Sequence, residues 1–496
     1  MHKKLIGTFI ICMVLILSVY AQQHSPKRGL AYGYHSAGDM AALAPGVSWW
    51  YNWDVSPETS VLEVYETLGF DFVPMAWNHL FDETEMRNFL DQHEGTEYIL
   101  GFNEPNFLAQ ANMTPSEAAA QWPIIEAIAD EYDLKIVGPA VNYCGSCVEE
   151  NGVIYNDPFQ YLDDFFAACP DCRVDYIAVH CYMNTVGALS WYIGEFKKYG
   201  KPIWLTEFAG WESNGNINSP DDQINFLIGA VDYLENDPDV FRYSWFIGRG
   251  NGASTYPYID ILGGDGELTE LGEIYVNMPL HDTDNYHVLP GRIEAEDYNR
   301  MQGILLELTQ DENGFINVGY IDPGDWLEYN VNIEVENDYY MVFRIASTSS
   351  STLAISLDGV NQLNQTFDNT HGWQNWQSFY SPVNLDAGMH KLRLTAQTAG
   401  FNINWIELTT EEPEKITQIL ESNAISCYPN PVTSTLHIDS DFPLDYIEVS
   451  DVLGHQIKRI RFINALDISE LPSGVYFIRL LKMDSKVFHT FQILVP

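Results

Sequence analysis

The chain has 496 residues, of which 46% are hydrophobic and 14% aromatic, enough to bury more than one large core. Its formal net charge of -45 repels phosphate backbones and anionic lipid surfaces, so nucleic acids and membranes are poor partners. The same acidity is typical of a solvated surface that keeps an exported protein dissolved, and it leaves neutral or cationic ligands as candidates.

The first residues have the pattern of an export signal. Lys3 and Lys4 precede an apolar stretch from Leu5 to Val19, and Ala21 ends a cleavage site ahead of Gln22. We therefore predict a signal peptide over residues 1–21. No later stretch approaches the roughly 18 uninterrupted apolar residues that a membrane-spanning helix needs, so we expect no transmembrane segment.

Residues 28–280 alternate strand-like and helix-like patterns. Thr114-Pro-Ser-Glu117 predicts a capping box in front of a helix from Ala118 to Tyr132. Eight alternating units in about 250 residues are typical of a (β/α)8 barrel, whose active site lies at the carboxyl ends of its strands. The eight strand-like runs are Gly29–Tyr34, Ser48–Trp53, Asp71–Trp77, Tyr98–Phe102, Lys135–Val141, Val174–Tyr182, Pro202–Phe208 and Phe241–Ile247.

Two glutamates end strand-like runs on this predicted face. Glu104 follows run four and Glu207 lies near the end of run seven. Cleavage of a glycosidic bond with retention needs one carboxylic acid and one attacking carboxylate about 5 to 5.5 Å apart. Either glutamate alone could be a strand-end carboxylate that caps the next helix, but the pair, with Asn103 beside the first, favours catalysis.

Four short motifs follow one another along this part of the chain: Asn103-Glu-Pro-Asn106, Gly138-Pro-Ala-Val141, Val174-Asp-Tyr-Ile-Ala-Val-His-Cys-Tyr182 and Trp204-Leu-Thr-Glu-Phe208. In this order they resemble glycoside hydrolase family 128 of clan A. The resemblance covers residues 28–280 and implies a β-1,3-glucan substrate, with Glu104 as acid/base and Glu207 as nucleophile. It also implies that Asn103 binds the sugar 2-hydroxyl and that His180 and Tyr182 position Glu207, although a strand histidine can also be a plain core residue.

Aromatic side chains near the strand ends are candidate platforms for the apolar faces of sugar rings. Trp245 is the best candidate from its position at the end of run eight. Trp53, Trp77 and Trp211 also lie at or beyond strand ends, and packing between strands and helices is the alternative for each of them.

Two Cys-x-x-Cys pairs admit two interpretations. Cys144 with Cys147 and Cys169 with Cys172 have the spacing of a four-thiolate structural zinc site. Export into an oxidising compartment favours disulfides instead, so we expect disulfides and a buried, unpaired Cys181.

A polar stretch from His281 to His287 predicts a short linker, after which alternating strands predict a β-sandwich over residues 288–409. This domain resembles family 6 carbohydrate-binding modules in the motifs Arg292-Ile-Glu-Ala-Glu-Asp-Tyr298, Gly319-Tyr-Ile-Asp-Pro-Gly-Asp-Trp-Leu-Glu-Tyr329, Gly372-Trp373 and Phe401-Asn-Ile-Asn-Trp-Ile406.

The family 6 resemblance implies two sites in the sandwich. Tyr320 and Trp373 would stack on a sugar ring, and Asn402 would donate hydrogen bonds to its hydroxyls. Packing inside the sandwich is the alternative for the two aromatic residues. A structural calcium would be held by oxygen ligands from Glu294, Glu296 and Asn404, although an Asp is common in the family where Asn404 stands.

The last part of the chain follows a different design. Residues 410–424 are charged and predict a linker. Residues 425–496 resemble the C-terminal sorting domain of the type IX secretion system, a small β-sandwich, in the motifs Cys427-Tyr-Pro-Asn-Pro-Val432, Val449-Ser-Asp-Val-Leu-Gly454, Leu466-Asp-Ile-Ser469 and Leu471-Pro-Ser-Gly-Val-Tyr-Phe-Ile-Arg479.

The sequence thus predicts a secreted, monomeric, multidomain retaining endo-β-1,3-glucanase that needs no cofactor for catalysis. Two alternatives stay open. One is a surface glycan-binding protein whose barrel lacks activity. The other is a hydrolase of another β-glycan, because loops such as Glu212 to Asp221 select the linkage.

Overall fold

The computed structural model describes residues 25–212, 214–311, 314–413, 425–440, 444, 446–450, 456–469, 471–481 and 487–495. The predicted signal peptide and residues 414–424 of the predicted linker lie outside these ranges. The chain divides into two compact units, residues 1–412 and 413–496. The first unit holds an N-terminal domain and a middle domain, and the second is the C-terminal domain.

The N-terminal domain alternates parallel strands with helices, and each of the eight predicted runs overlaps a strand. The strands are β1 (Arg28–Ala31), β2 (Trp49–Tyr51), β3 (Asp71–Phe72), β4 (Tyr98–Leu100), β5 (Lys135–Val137), β6 (Glu149–Glu150), β7 (Val153–Ile154), β8 (Ile177–Cys181), β9 (Ile203–Phe208) and β10 (Val240–Trp245). The α-helices are α1 (Ala37–Leu43), α2 (Glu83–Leu90), α3 (Pro115–Tyr132), α4 (Pro158–Ala168), α5 (Val186–Phe196), α6 (Pro220–Asn236) and α7 (Glu270–Asn277).

Six of these strands form one parallel sheet in the order β3-β2-β1-β10-β9-β8, and β4 pairs with β5. Isolated parallel bridges join Met75 to Leu100 and Val137 to Tyr176. These bridges place the β4-β5 pair between the two ends of the sheet. The short strands β6 and β7 form an antiparallel hairpin.

Local sequence explains where α3 begins and which side chains of β2 face inward. The predicted capping box is confirmed at α3, where Thr114 Oγ1 accepts from the backbone N–H of Glu117 and the Glu117 carboxylate accepts from the backbone N–H of Thr114. In β2, Trp49 and Tyr51 join one apolar cluster with Trp204, whereas Trp50 joins the layer under the helices. Alternation along the strand therefore separates an inner from an outer layer.

The disulfide prediction is confirmed. Cys144 pairs with Cys147 and Cys169 with Cys172, with Cα–Cα distances of 5.6 and 5.3 Å. Cys181 is a buried free thiol, and burial raises its pKa to about 12, so it stays protonated and unreactive at neutral pH.

The middle domain is a β-sandwich of two sheets. One has the order β11-β16-β21-β18-β19 with β13 beside β16, and the other β14-β15-β22-β17-β20 with β12 beside β22. The strands are β11 (His287–Leu289), β12 (Gly291–Glu294), β13 (Arg300–Gln302), β14 (Leu305–Leu308), β15 (Ile316–Gly319), β16 (Trp326–Ile333), β17 (Asn337–Ser347), β18 (Ser351–Leu357), β19 (Val360–Phe367), β20 (Trp376–Leu385), β21 (Gly388–Ala396) and β22 (Phe401–Thr409).

The middle domain is docked on the N-terminal domain, because β14 packs against α6. Tyr298 is buried there and donates to Asp232 of α6 at 2.5 Å, and His281 stacks on the Tyr298 ring at 4.1 Å. The predicted linker is also held, since Asn299 and Asn330 donate to its backbone carbonyls. Residues 281–287 are thus part of an interface between the two domains.

The C-terminal domain has a three-stranded sheet, β23-β24-β27, and a four-stranded sheet, β26-β25-β28-β29. Leu436, Ile447, Ile478 and Ile493 belong to its own core. Its strands are β23 (Ile425–Tyr428), β24 (Thr435–Ser440), β25 (Tyr446–Ser450), β26 (Gln456–Arg461), β27 (Ala465–Asp467), β28 (Gly474–Leu481) and β29 (Val487–Val495). Across the described part of the chain, no helix combines the length and apolar character needed to cross a membrane.

Candidate active site

Glu104 lies just beyond β4 in a backbone conformation that few side chains adopt. Its φ of 40° falls in the left-handed region, which costs a non-glycine residue about 1 kcal/mol or more. The surrounding loop holds this conformation, because Asn103 N donates to Trp77 O at 2.9 Å and Phe107 N donates to Glu104 O at 2.9 Å. The loop therefore fixes the backbone from which the Glu104 side chain projects.

A register shift between β8 and β9 places Glu207 opposite His180. Val179 pairs with Leu205, but the next pair is His180 with Glu207, so Thr206 is an extra residue on β9. Strict alternation would put Thr206 on the inner face in place of Glu207. This bulge re-aims the glutamate, a common role of bulges beside functional sites.

The two glutamates meet on one imidazole nitrogen. His180 Nδ1 lies 3.0 Å from Glu104 Oε1 and 3.3 Å from Glu207 Oε2, and all three side chains are buried. The three atoms lie within 4.8 Å of one another. His180 Nε2 is buried and has no hydrogen-bond partner among the described residues, so the shared Nδ1 is the nitrogen that contacts the site.

Three aromatic side chains donate to Glu207. Tyr182 donates its hydroxyl to Oε2, and Trp53 donates its indole N–H to Oε1 at 2.9 Å. The hydroxyl of Tyr51 lies 3.1 Å from Oε1 and 3.0 Å from Thr206 O. Each oxygen of the carboxylate is thus held separately, which fixes the plane of the group.

The buried site shifts the titration of its members. Burial raises the pKa of Glu207, the Glu104 charge raises it further, and His180, Tyr182 and Trp53 act in the opposite direction. Burial alone would lower the pKa of His180, but the Glu207 and Glu104 charges outweigh it and raise that pKa. Glu207 and His180 therefore keep their protons to higher pH than the same side chains would in water.

A cleft of about 510 Å³ opens above the two carboxylates. Trp211, which is 36% exposed, and Tyr143, which is 42% exposed, stand on its walls. Such a surface of apolar rings with polar groups between them suits the alternating faces of a sugar polymer. The lining residues are Trp53, Trp77, Asn103, Glu104, Phe107, Gln110, Asn142, Tyr143, Tyr182, Glu207, Trp211, Glu212 and Phe246.

A second carboxylate site lies in the middle domain, around Glu307 of β14. Its Oε1 accepts from the amides of Asn402 at 2.6 Å, Gln374 at 3.0 Å and Asn317 at 3.2 Å. Asn402 also donates to the backbone carbonyl of Trp373 at 2.8 Å, which links the Glu307 cluster to an aromatic side chain that is 51% exposed. Glu307 therefore joins an exposed aromatic residue to a set of fixed amides.

Three stretches of the chain match known families. Residues 29–275 match the family described as glycosyl hydrolase catalytic core. The N-terminal domain belongs to this family. Residues 294–410 match the family 6 carbohydrate binding module, and residues 426–494 match a secretion system C-terminal sorting domain. The chain therefore joins a hydrolase core, a carbohydrate-binding module and a domain that directs export by type IX secretion.

Individual relatives align with the hydrolase core. Alkali-sensitive linkage protein 1 of Schizosaccharomyces pombe is 31% identical over 267 residues, which are 51% of this chain and 45% of the relative. The chain thus spans less than half the length of that relative. Two crystal structures described as family 128 (subgroup II) endo-β-1,3-glucanases each cover 52% of this chain and 100% of their own. The Sorangium cellulosum structure is 46% identical with a TM-score of 0.45, and the Pseudomonas viridiflava structure 38% with 0.48.

Most of the residues predicted for the hydrolase core meet at its cleft. Asn103, Tyr182, Trp77 and Trp211 line the cleft with the two glutamates, and His180 lies buried against both carboxylates. The amide oxygen of Asn103 is buried and has no partner among the described residues, so it is free to accept a bond from a ligand.

The prediction that Trp245 is a sugar platform is wrong. It is fully buried, donates its indole N–H to Ile259 O at 2.8 Å and packs on Phe208 and Tyr275. The next residue, Phe246, lines the cleft instead. Tyr243 and Trp245 both pack in the outer layer, so alternation from this pair turns the next residue, Phe246, inward. Alternation counted from Phe241 fails, because the pairing of β10 with β9 shifts register twice.

The sequence also left Tyr51, Tyr143 and Glu307 unassigned. Tyr51 and Tyr143 gave no motif signal, because their role depends on contacts between distant strands and loops. Glu307 stands in the run Leu305-Leu-Glu-Leu308, where its charge is typical of a solvated face of an edge strand.

The predicted module residues need one correction. Tyr320 is 63% exposed and Trp373 51% exposed, so neither is a packing residue of the sandwich. Asn402, however, uses its amide nitrogen for Glu307 and for Trp373 O. With its nitrogen engaged inside the protein, Asn402 offers a ligand its oxygen as an acceptor rather than its N–H as a donor.

Proposed function

We propose that the protein is a secreted retaining endo-β-1,3-glucanase whose middle domain binds the same class of polymer. One observation carries the reaction: oxygens of Glu104 and Glu207 lie within 4.8 Å of each other around His180 Nδ1. This separation fits a double displacement, for which about 5 to 5.5 Å is usual, and not the 6.5–9.5 Å or so of an inverting pair.

The chemistry proceeds in two balanced steps. Glu207, ionised, attacks the anomeric carbon while the Glu104 carboxylic acid gives its proton to the departing glycosidic oxygen, which leaves a covalent glycosyl-enzyme. Glu104, now a carboxylate, then takes a proton from water as that water attacks the same carbon. Glu207 leaves as a carboxylate, and one water has been consumed for each bond cleaved.

The residues around the pair have distinct tasks in these steps. The hydrogen bonds from Tyr182 and Trp53 stabilise the charge that Glu207 carries before attack and after release. Asn103 Oδ1, which is buried and unpartnered, would accept a bond from the sugar 2-hydroxyl. Trp77, Trp211 and Phe246 supply ring faces for sugars on either side of the cleavage point.

The linkage and the mode of action rest on the motifs and on the cleft. The four ordered motifs that resemble family 128 support β-1,3-glucan as the polymer. The cleft is open at the surface and is lined on several sides, which supports cleavage inside a chain. We also expect the eight strands to close into a (β/α)8 barrel, supported by the bridges Met75 to Leu100 and Val137 to Tyr176, and the protein to act as a monomer.

In the middle domain, Tyr320 and Trp373 would hold a sugar ring while Glu307 and Asn402 accept bonds from its hydroxyls. The exposure of both rings and the fixed position of Glu307 support this assignment. A module held against the hydrolase core keeps the polymer near the active site and leaves the chemistry unchanged.

A calcium ion in the middle domain would suit the oxygen atoms of Glu296 and Asn404. Glu296 Oε2 and Asn404 Oδ1 are buried and have no partner among the described residues, and hard oxygen donors of this kind suit calcium. Burial raises the pKa of Glu296 well above its usual value, an effect that a cation would reverse. Glu294 is paired with Arg292 at 2.8 Å and would have to turn to join them.

Melting curves of the whole mature chain with calcium and with a chelator test this site. Calcium should raise the melting temperature of the wild type and have no effect on Glu296→Gln. Equal melting temperatures in calcium and chelator would rule the site out.

The decisive experiment for the enzyme is sugar release by the mature chain and its Glu207→Ala variant from linear and branched β-1,3-glucan, mixed-linkage glucan and cellulose. We expect a spread of oligosaccharides from β-1,3-glucan and none from the variant. Release from another polymer alone would change the substrate, and release from none, with binding intact, would leave a glycan-binding protein.

A further inference from the structure

We propose that Trp53 is a positioning residue for the nucleophile, holding Glu207 through its indole N–H while its ring forms part of the sugar-binding wall. The proposal rests on the proposed function for the identity of the nucleophile. One side chain would thus serve both the polymer and the reacting carboxylate.

The backbone at Trp53 is held in an unusual conformation. Its φ of 61° lies in the left-handed region, which a large side chain rarely adopts. The loop after β2 is tied down by Met75 N, which donates to Asp54 O at 2.9 Å, and by Asp54 N, which donates to Asn52 Oδ1 at 3.1 Å. Strain that the surroundings maintain in this way is typical of functional positions.

Trp53 is the steadier of the two donors to Glu207 Oε1. The Tyr51 hydroxyl has one proton and two acceptors in reach, Thr206 O at 3.0 Å and Glu207 Oε1 at 3.1 Å. The Trp53 N–H donates to Oε1 at 2.9 Å, the shorter of the two contacts with this oxygen. Removing Trp53 would therefore leave Oε1 with a donor that is shared with Thr206.

The Trp53 ring is also part of the cleft surface. It packs edge to face on Tyr51 at 5.4 Å and on Phe246 at 6.0 Å, and it lines the cleft with Phe246. A sugar stacked on this ring would restrict its motion and, with it, the direction of the N–H. Binding of polymer would thus help to align the nucleophile.

The charged and titratable groups that face Glu207 are His180, Glu104, Tyr51 and Tyr182. In Trp53→Phe all of them remain and only the indole donor is lost. The carboxylate loses a stabilising bond while its burial is unchanged, so Glu207 should take up a proton at higher pH than in the wild type.

The test compares Trp53→Phe with Phe246→Leu in the full mature chain, using a linear β-1,3-linked oligosaccharide. For Trp53→Phe we expect kcat to fall about 10- to 100-fold, the usual effect of losing one hydrogen bond to a charged group, and the acid limb of kcat/KM to move to higher pH. Phe246→Leu is the matched control, because Phe246 touches the same ring and cleft without bonding to Glu207. It should raise KM and leave the acid limb in place.

Two further measurements keep the outcome decisive. Tyr51→Phe, which removes one oxygen atom, should shift the acid limb in the same direction by a smaller amount. A shift as large as that of Trp53→Phe, or larger, would show that Tyr51 and not Trp53 is the main donor to Oε1. Carbon-13 spectra of labelled glutamate give the titration of Glu207 without any turnover, with the signal identified by its loss in Glu207→Gln. The carbon-13 titration tests whether Trp53 stabilises the Glu207 carboxylate even if the wild type releases no sugar and the proposed function fails.

The proposal is overturned if Trp53→Phe raises KM but keeps the wild-type kcat, acid limb and Glu207 titration. Trp53 would then be a sugar platform alone. An unchanged Glu207 titration in both Trp53→Phe and Tyr51→Phe would have the same meaning.

Discussion

The hydrolase core and the middle domain each hold a glutamate by several hydrogen bonds, but they surround it differently. Glu207 receives its bonds from aromatic side chains and lies beside a second carboxylate and a histidine. Glu307 accepts hydrogen bonds from three side-chain amides. Within the described residues, the only group of three acidic, histidine or cysteine side chains close enough to share an ion is Glu104, His180 and Glu207. A fixed carboxylate is enough to recognise hydroxyls, whereas bond cleavage requires the acid beside it.

The largest effect should come from removing that acid. Glu104→Ala should lower kcat on polymer about 10²- to 10⁴-fold, the usual contribution of a general acid. The loss in the first step should be much smaller for an aryl β-glucoside of a short β-1,3-linked chain, because its leaving group needs no proton. Burst kinetics on both substrates measure this. An equal loss on both would show that Glu104 is not the acid.

Substitution of Glu307 in the middle domain should affect glycan binding and leave hydrolysis unchanged. Glu307→Gln replaces the charged acceptor of the Asn402, Gln374 and Asn317 amides with a neutral amide, which accepts these hydrogen bonds less well. Affinity for soluble β-1,3-glucan should therefore fall about 10-fold or more. Titration calorimetry in a Glu207→Gln background measures it, with exposed Glu334→Gln as control. Hydrolysis of a short oligosaccharide should not change. Lost turnover with intact binding would contradict the division of roles.

A smaller effect should appear in stability. The pKa of Glu207 is raised in the folded protein, so the protonated form favours folding, and this contribution is lost as pH rises through the folded pKa. The raised pKa of His180 acts in the same direction. At pH 7, Glu207→Gln should therefore melt about 2 °C or more above the wild type, and the difference should shrink toward pH 4. Thermal melts of both proteins across this range provide the measurement, and a difference independent of pH would contradict the shift.

Sequence patterns predicted the elements better than the contacts. The eight strand runs and the Thr114 cap follow from local periodicity and capping, which need no distant partner. Glu104 and Glu207 were found because strand ends meet on one face. The extra Thr206 on β9 could not be read from the sequence, because it shows only in the pairing with β8.

The same limit explains the missed side chains. Tyr51 reaches Glu207 across more than a hundred positions of sequence, so no local motif contains both. Trp245 and Phe246 are neighbours of similar character, and only strand alternation separates the buried ring from the one in the cleft. Asn402 lies beside Trp373, but the donor and acceptor roles of its amide depend on Glu307, which belongs to another strand.

The bond from Tyr298 to Asp232 bears on how such chains can be recombined. Because Asp232 lies on α6 and is buried under Tyr298 and His281, a gene cut after residue 280 would expose a charged group and an unpaired helix face. An exchanged module would have to bring residues that match α6. The middle domain is therefore not an independent module, and in a recombined chain it needs the α6 surface against which it packs.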